Sequence, residues 1–260
     1  MAIDLSAIAA GKNKPARIII YGPEGIGKTT FATQTPTPVF LQAEDGLTNE
    51  SVPRFPINGT IQKFDDLLQI LASLGSESHN FKTVVVESLD WIEPLVWSAT
   101  CKRLGVQTIE SPGYGKGYVE ADTEWRKLFA YVSALRDLGM TIIMSAHSTV
   151  IKVEDPIHPP YDMFTLKLHK RAAGLAKEFS DIIGFCNIET FLKSDDIGFG
   201  TKKSRAISTG NRVMYLTNSP AYVAKNRYGM PDVLPLLWNE IETYLPCKNE
   251  PLQKQTIKGE

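Results

Sequence analysis

Residues 22–29 read Gly22-Pro23-Glu24-Gly25-Ile26-Gly27-Lys28-Thr29, and this stretch decides the fold. It has the pattern G-x-x-x-x-G-K-T, follows the apolar run 18–20 and leads into a helical pattern that begins at residue 28. Strand, glycine-rich loop and helix therefore occur in the order that a phosphate-binding loop requires. Glycines let the backbone curl so that successive N–H groups face phosphates, and the helix N-terminus adds positive potential. A glycine-rich turn with a chance Lys-Thr pair is the alternative.

The loop also predicts what its residues bind. The segment 22–30, which includes Pro23, Glu24, Ile26 and Thr30, is the candidate binding site for the phosphates of ATP. We expect the Lys28 ammonium to bridge the outer phosphates and the Thr29 hydroxyl to ligate Mg²⁺.

The composition is that of an ordinary globular protein. Of the 260 residues, 43% are apolar and 22% are charged, and the net charge is -1, so a nucleic-acid site would have to be a local basic patch. Cys101, Cys186 and Cys247 are widely spaced and form no C-x-x-C pair, which argues against a disulfide framework or a zinc site. The chain shows no secretory signal and no apolar run of about 18 residues, so we expect a cytoplasmic protein without a membrane span.

Apolar runs typical of strands alternate with helical patterns, which predicts an α/β fold with a parallel sheet and crossover helices. The predicted strands are 17–21, 38–42, 82–87, 140–145 and about 181–188. The predicted helices are 28–34, 63–74, 89–104, 119–138 and 168–178. Turn residues favour antiparallel strands over 188–228, and the pattern of 234–244 favours a final helix. We predict one domain over residues 1–245 and a disordered tail over 246–260.

An acidic residue ends the third predicted strand. Glu87 lies where folds of this kind place the carboxylate that holds the Mg²⁺ water shell. Asp is usual at that position and Glu is one methylene longer, so Asp90 is a second candidate ligand. A strand-end glutamate that only meets solvent is the alternative.

Polar residues also follow the second and fourth predicted strands. A carboxylate beside the phosphate loop can accept a proton from an attacking water, and Glu44 is the candidate general base, with Asp45 as its competitor. A solvated turn is the alternative for both acids. His147 is either a sensor of the γ-phosphate or a histidine that is only hydrogen-bonded. The candidate catalytic residues are Lys28, Glu44, Glu87 and His147.

These pieces together resemble the core of RecA-like ATPases, and more closely the short phage-encoded RecA-core ATP-binding proteins of the single-strand annealing and recombination type. The resemblance covers about residues 15–235 and is carried by the stretches GPEGIGKTTFA, VVVESLDW, IIMSAHS, YDMFTLKLHKRAA and AKNRYGMP. It implies an ATPase with a RecA-like P-loop NTPase core, in which helices flank a mostly parallel sheet with a C-terminal antiparallel extension. Glu87 departs from the family's usual Asp, which bears on the hydrolysis rate more than on ATP binding.

The resemblance also implies partners. Lys225 and Arg227 match the lysine-containing strand that reaches the neighbouring subunit's ATP in RecA filaments, which implies a head-to-tail homo-oligomer with ATP between subunits. An exposed edge strand is the alternative for this segment. We also expect this chain to lack the additional DNA-binding domains of full-length recombinases. A phage-encoded protein of this kind would act in the host cell cytoplasm, with a single-strand binding protein as an optional partner.

Two segments are suited to binding single-stranded DNA, and they correspond to the two DNA-facing loops of a RecA core. The loop 110–118 has three glycines together with Tyr114 and Lys116, which are suited to stacking on a base and meeting a phosphate. The long proline-rich segment 150–166 precedes a basic cluster that consists of Lys167, His169, Lys170 and Arg171. A further basic region contains Lys202, Lys203, Arg205 and Arg212. A solvated charged face is the alternative for each cluster.

The sequence therefore predicts an ATP- and Mg²⁺-dependent protein that binds single-stranded DNA and promotes annealing or strand exchange in phage-type recombination. We expect a slow, DNA-stimulated ATPase that assembles into a ring or a filament. A nucleotide-switched adaptor or loader ATPase that acts through protein partners is the alternative from another functional class. A helicase-type motor is disfavoured because the chain has no room for a second core.

Overall fold

The three-dimensional structure is a computed structural model that describes residues 13–49, 51–196 and 202–246. Side chains are described for these residues apart from 192–196 and 202–207. The predicted disordered tail, apart from Pro246, lies outside the described residues, and so do the side chains of Lys202, Lys203 and Arg205. The single-domain organisation stays a prediction.

The described residues contain ten strands and six helices in the predicted alternating order. The strands are β1 (Arg17–Gly22), β2 (Pro38–Gln42), β3 (Arg54–Phe55), β4 (Thr83–Glu87), β5 (Thr141–Val153), β6 (Tyr161–Leu166), β7 (Ile182–Asp196), β8 (Lys202–Tyr215), β9 (Lys225–Asn226) and β10 (Val233–Pro235). The helices are α1 (Lys28–Thr33), α2 (Phe64–Ser76), α3 (Leu89–Leu104), α4 (Lys116–Asp137), α5 (Lys170–Phe179) and α6 (Trp238–Glu242). Within the described part of the chain, no helix is both long enough and apolar enough to cross a membrane.

All ten strands belong to one sheet, in which β10, β8, β7, β1, β5, β4, β2 and β3 follow one another. The strands from β7 to β3 pair in parallel. β8 and β10 continue the sheet beyond β7 in antiparallel pairing, and β6 and β9 pair with β5 and β7. The predicted α/β fold, with a mostly parallel sheet flanked by helices and a C-terminal antiparallel extension, is therefore confirmed.

The register brings the carboxyl ends of the parallel strands to one edge of the sheet. Gly22 at the end of β1 is level with His147 in β5, and Gln42 at the end of β2 is level with Glu87 at the end of β4. In sheets of this kind, ligands bind outside the carboxyl ends of the strands. Polar residues that are far apart in sequence therefore meet where the phosphate loop begins.

The central strand β1 is buried on both faces of the sheet. Ile19 and Tyr21 pack into an apolar cluster that includes α2, α3, α4 and α5, whereas Ile18 and Ile20 pack with α1 and α6 on the other face. Burying one side chain of this size contributes about 1.5–3 kcal/mol to stability. The core therefore holds β1, and with it the start of the phosphate loop, in one position.

Three segments differ from the prediction. β5 runs on past residue 145 and pairs with β6, so the predicted proline-rich loop 150–166 is largely a hairpin, and the β-favouring residues Thr149, Val150 and Ile151 continue the strand. The predicted helix 234–244 shrinks to α6, because residues 233–235 pair with β8 instead. The two-residue strand β3 has no pattern by which the sequence would reveal it.

Candidate nucleotide-binding site

The phosphate loop joins β1 to α1 and depends on two of its glycines. A Cβ atom at Gly22 would lie 2.2 Å from the carbonyl oxygen of Cys186 in β7, so that only glycine fits. Gly27 has a φ of 105°, a conformation that other residues rarely adopt. The backbone N–H groups of residues 24–28 have no hydrogen-bond partner within the described residues. The loop thus offers several consecutive free donors to an anion such as a phosphate group.

Lys28 is buried inside this loop. Its Nζ atom donates to the carbonyl oxygens of Gly22 and Pro23 at distances of 3.1 and 3.0 Å. Burial lowers the pKa of Lys28, and the carboxylates of Glu87 and Glu44 act in the opposite direction. Because the ammonium forms no ion pair with a described carboxylate, its charge is available to a phosphate oxygen.

Thr29 and Glu87 meet directly beside the loop. The Thr29 Oγ1 atom donates to Oε1 of Glu87 at 2.5 Å, while the buried Oε2 of Glu87 has no hydrogen-bond partner in the described part of the chain. Burial raises the pKa of Glu87, and the Thr29 hydrogen bond opposes that shift. A hydroxyl oxygen beside an unpartnered carboxylate oxygen is a donor set that suits Mg²⁺. The described residues contain no group of three or more His, Cys, Asp or Glu that could hold a metal ion, so phosphate oxygens and waters would supply the other ligands.

Asp90 holds His147 by two hydrogen bonds. The backbone N–H of His147 donates to Oδ1 of Asp90 at 3.0 Å, and its Nδ1 atom lies 2.8 Å from Oδ2. Both oxygens of Asp90 are therefore occupied, which argues against its predicted alternative role as a Mg²⁺ ligand. The sequence pattern predicted that Asp90 lies at the start of a helix, but it did not predict His147 as its partner.

Glu44 lies on the other side of His147. Its Oε1 atom is 3.7 Å from Nε2 of His147, and its Oε2 atom accepts a hydrogen bond from the Ser88 hydroxyl at 2.9 Å. The competing acid Asp45 is exposed and has no side-chain partner among the described residues. The arrangement gives Glu44 a fixed carboxylate orientation next to Glu87, as a general base requires.

Four of the predicted DNA-contacting residues have exposed side chains without a partner among the described residues. Tyr114 is fully exposed and belongs to a turn, residues 113–115, in which every φ is positive. Lys116, Lys167 and Lys170 are exposed, and their side chains have no partner within the described part of the chain. Unusual backbone conformations in non-glycine residues cluster at functional loops, which supports a binding role for Tyr114.

The other two predicted DNA-contacting residues are engaged within the chain. The His169 ring stacks on Tyr118 with ring centroids 4.0 Å apart, and an Arg171 guanidinium nitrogen lies 2.6 Å from a carboxylate oxygen of Asp122. The backbone N–H of His169 also donates to Glu93, whose burial raises its pKa to about 7. Glu93 was not predicted as a site residue, because it stands among apolar residues of α3.

Lys225 and Arg227 lie near the amino ends of the parallel strands, whereas the phosphate loop lies at their carboxyl ends, because β9 pairs with the first two residues of β7. The Nζ atom of Lys225 donates to the carbonyl oxygens of Lys177 and Ser180, at the end of α5, at 2.8 and 2.6 Å. Arg227 pairs with Asp181 at 3.1 Å. Neither cation reaches the phosphate loop of its own chain, so a contact with ATP would have to be made to another subunit.

The family described as AAA domain matches residues 14–228, a stretch that runs from just before β1 to just after β9 and includes the whole candidate site. The chain belongs to the AAA-domain family. Family membership and the phosphate loop together support a nucleotide-binding ATPase. The SPbeta prophage-derived uncharacterized protein YorG of Bacillus subtilis (strain 168) is 25% identical over 268 residues, covering 100% of this AAA-domain chain and 72% of that protein.

Two solved structures are also similar to this AAA-domain protein. The RadB recombinase has a TM-score of 0.42 and 15% identity, covering 79% of this chain and 82% of the RadB chain. The flagellar accessory protein FlaH from Methanocaldococcus jannaschii has a TM-score of 0.40 and 12% identity, covering 83% and 88% of the two chains.

We expect the affinity of this AAA-domain protein for ATP with Mg²⁺ to fall as the pH falls through the mildly acidic range. The raised pKa means that Glu87 takes up a proton at a higher pH than an exposed glutamate, and the protonated carboxyl no longer favours a divalent cation. Calorimetric titration of the parent and of Glu87→Gln at each pH measures the effect, and the comparison cancels the titration of ATP itself. Equal pH dependence in the two proteins would assign the effect to another group.

Proposed function

We propose that this chain is an ATP- and Mg²⁺-dependent ATPase that binds single-stranded DNA and promotes annealing or strand exchange in phage-type recombination. The observation that carries the proposal is a direct connection between the nucleotide site and a basic segment. The backbone N–H of Lys167 donates to the carbonyl oxygen of His147 at 2.9 Å, and the His147 ring lies beside Glu44. The basic segment 167–171 is therefore bonded at its first residue to a residue of the nucleotide site. The prophage origin stated for the Bacillus relative supports the phage context.

ATP hydrolysis by this site uses the chain's own residues in separate roles. Lys28 and the free loop amides bind the phosphates, and Thr29 and Glu87 would hold Mg²⁺, which supplies charge neutralisation when bound. Glu44 accepts the proton of the attacking water. His147, oriented by Asp90, presents Nε2 towards Glu44 and the end of the phosphate chain that reacts.

The first two turns of α3 connect this chemistry to the basic segment. Asp90 and Glu93 are three residues apart and therefore lie on one face of the helix. Asp90 holds His147, and Glu93 accepts hydrogen bonds from the backbone of His169 at 3.0 and 3.1 Å. If binding of DNA displaces the segment 167–171, the displacement therefore acts on the same helix that positions His147. DNA-stimulated ATP turnover is the expected consequence.

A head-to-tail homo-oligomer is part of the proposal. The phosphate loop lies at one edge of the sheet and Lys225 and Arg227 at the other, so a repeated contact between unlike edges would bring these cations to a neighbour's ATP. Such heterologous contacts build rings or filaments. In that arrangement Arg227 would have to leave Asp181, from which it is separated by 3.1 Å in the single chain.

We expect the double variant Lys167→Gln/Lys170→Gln to bind single-stranded DNA more weakly and with a flatter salt dependence. Both side chains are exposed and unpaired within the described residues, and each lost phosphate contact removes about 0.7 from the slope of log K against log salt. The expected change in slope is therefore about 1.4. Fluorescence anisotropy with a labelled oligonucleotide at several salt concentrations measures it.

The matched control is Lys63→Gln/Lys82→Gln, which removes the same charge from side chains without a partner among the described residues, directly before α2 and β4. This control should keep the parent slope. Equal effects of the two double variants would mean that net charge alone is responsible. Unchanged binding in both would contradict the DNA-binding proposal.

A nucleotide-switched adaptor or loader ATPase remains the second candidate, and two observations favour it. His169 and Arg171 are engaged within the chain, which leaves fewer cations for DNA. The β5–β6 hairpin exposes the apolar side chains Val150, Ile151 and Ile157, which suit a protein partner. ATP turnover that does not respond to single-stranded DNA would favour this candidate.

A further inference from the structure

A cavity of about 800 Å³ adjoins the phosphate loop on the side away from Glu44 and Glu87. Gly27, Thr30 and Gln34 line one wall, and Arg212, Leu234 and Leu236 from the antiparallel extension line the other. Cavities of this size and mixed lining are typical of small-molecule sites. The sequence prediction placed Arg212 in a basic region for DNA, whereas in the structure its side chain forms part of this wall.

The guanidinium of Arg212 lies directly over the phosphate loop. Its Nη1 atom is 3.0 Å from the position that a Cβ atom of Gly27 would occupy. The backbone of Arg212 is fixed, since its carbonyl oxygen accepts a hydrogen bond from the N–H of Leu236 at 3.0 Å. β8 and the residue after β10 thus hold the Arg212 side chain next to the phosphate loop of the same chain.

Arg212 also has no competing partner among the residues that the structure describes. Its side chain is exposed and forms no hydrogen bond or ion pair within the described residues. The acid in the same cavity wall, Glu189, instead accepts hydrogen bonds from Thr209 at 3.0 Å and Asn211 at 3.2 Å. An unpaired guanidinium beside free backbone N–H donors is an arrangement that favours a phosphate-bearing ligand.

The strand order decides which part of a nucleotide Arg212 can reach. Glu87 and His147 belong to β4 and β5, and Glu44 follows the end of β2; all three strands lie on one side of β1. Arg212 belongs to β8, on the opposite side of β1 beyond β7. A nucleotide whose reacting phosphate lies near the acids therefore extends its α-phosphate and nucleoside towards Gly27, Thr30 and the cavity.

We infer that Arg212 binds the α-phosphate end of the nucleotide in its own chain and that the adjoining cavity holds the ribose and base. The inference rests on the proposed ATP site and assigns to it a cation from the same subunit, in addition to any cation supplied by a neighbour. Arg212 then contacts a part of the nucleotide that ATP and ADP share. Its contribution is to nucleotide affinity and not to the reacting phosphate.

Arg212→Gln is expected to raise the Kd of ADP and the Kd of a non-hydrolysable ATP analogue by the same factor, about tenfold, because a charged hydrogen bond is lost from both complexes. Arg212→Lys should recover part of the affinity, since it keeps the charge but not the planar fork. Calorimetric titration measures the Kd of each of the two variants for each of the two nucleotides. Arg126→Gln, which removes an exposed and unpaired arginine of α4 within the described residues, should bind both nucleotides as the parent does. Thermal unfolding without nucleotide checks that each variant is folded.

Three results would overturn the inference. Unchanged affinity for both nucleotides would show that Arg212 does not contact the ligand, and loss of affinity for the ATP analogue alone would place it at the γ-phosphate. Weaker binding of single-stranded DNA with unchanged nucleotide affinity would return Arg212 to the predicted basic region. None of these three results contradicts the proposed function. That proposal would be contradicted by nucleotide binding that is insensitive to Lys28→Ala, or by ATP turnover that does not respond to single-stranded DNA.

Discussion

Lys28→Ala is expected to abolish ATP turnover and to leave the chain folded. The ammonium is the cation inside the phosphate loop, where it donates to the carbonyl oxygens of Gly22 and Pro23. A hydrogen bond to a charged group contributes about 1.5–3 kcal/mol, so ATP affinity should fall by about 10- to 150-fold. Turnover should fall further, because the same charge stabilises the transferring phosphoryl group in the transition state. Phosphate release, ATP titration and thermal unfolding measure the three effects separately.

The control for this variant is Lys63→Ala, which truncates an exposed lysine just before α2. It should behave as the parent in all three measurements. Hydrolysis by Lys28→Ala at the parent rate would show that the phosphate loop is not the site of the reaction.

The same variant also tests the proposed contact between subunits. Arg227→Ala should lose ATPase activity in the oligomer while each subunit still binds nucleotide. When Lys28→Ala and Arg227→Ala are mixed from dissociated protein, some interfaces combine an intact phosphate loop with an intact Arg227, and partial activity should return. Light scattering must verify that the two variants assemble together. A lack of recovery in verified mixed assemblies would contradict a site completed by the neighbour.

Glu44→Gln is expected to slow hydrolysis by about 10²- to 10⁴-fold and to leave ATP affinity unchanged. The amide keeps the size and polarity of the carboxylate and can still accept the Ser88 hydrogen bond, but it cannot take a proton from water. Glu87→Gln should have the opposite pattern, with weaker Mg²⁺-dependent binding, since Glu87 contacts Thr29 and has an oxygen without a hydrogen-bond partner among the described residues. Single-turnover hydrolysis and equilibrium binding separate the two effects.

Asp45→Asn is the matched control, because it makes the same chemical change in the adjacent acid, which is exposed. It should hydrolyse ATP at the parent rate. A larger loss in Asp45→Asn than in Glu44→Gln would make Asp45 the general base. Equal and mild effects of all three substitutions would leave no carboxylate as the base.

Contiguous patterns explain why the fold and the main residues of the site could be predicted. The phosphate loop joins a strand and a helix that are adjacent in sequence, and β1 and α1 lie where the pattern puts them. Glu44, Glu87 and His147 were predicted from strand ends, and parallel pairing brings strand ends to one edge whatever the intervening loops are. Their positions at this edge therefore follow from the pattern, while their chemical roles stay predictions.

The α/β core and the position of the phosphate loop follow from the sequence alone, because both depend on local periodicity and on glycines at fixed offsets. The partner of each charged side chain follows from the three-dimensional fold instead. It pairs Asp90 with His147 and Arg171 with Asp122, directs Lys225 to the end of α5, and places Arg212 over Gly27. A charged residue attracts any opposite charge within reach, so its partner depends on strand order and packing, which no local pattern encodes.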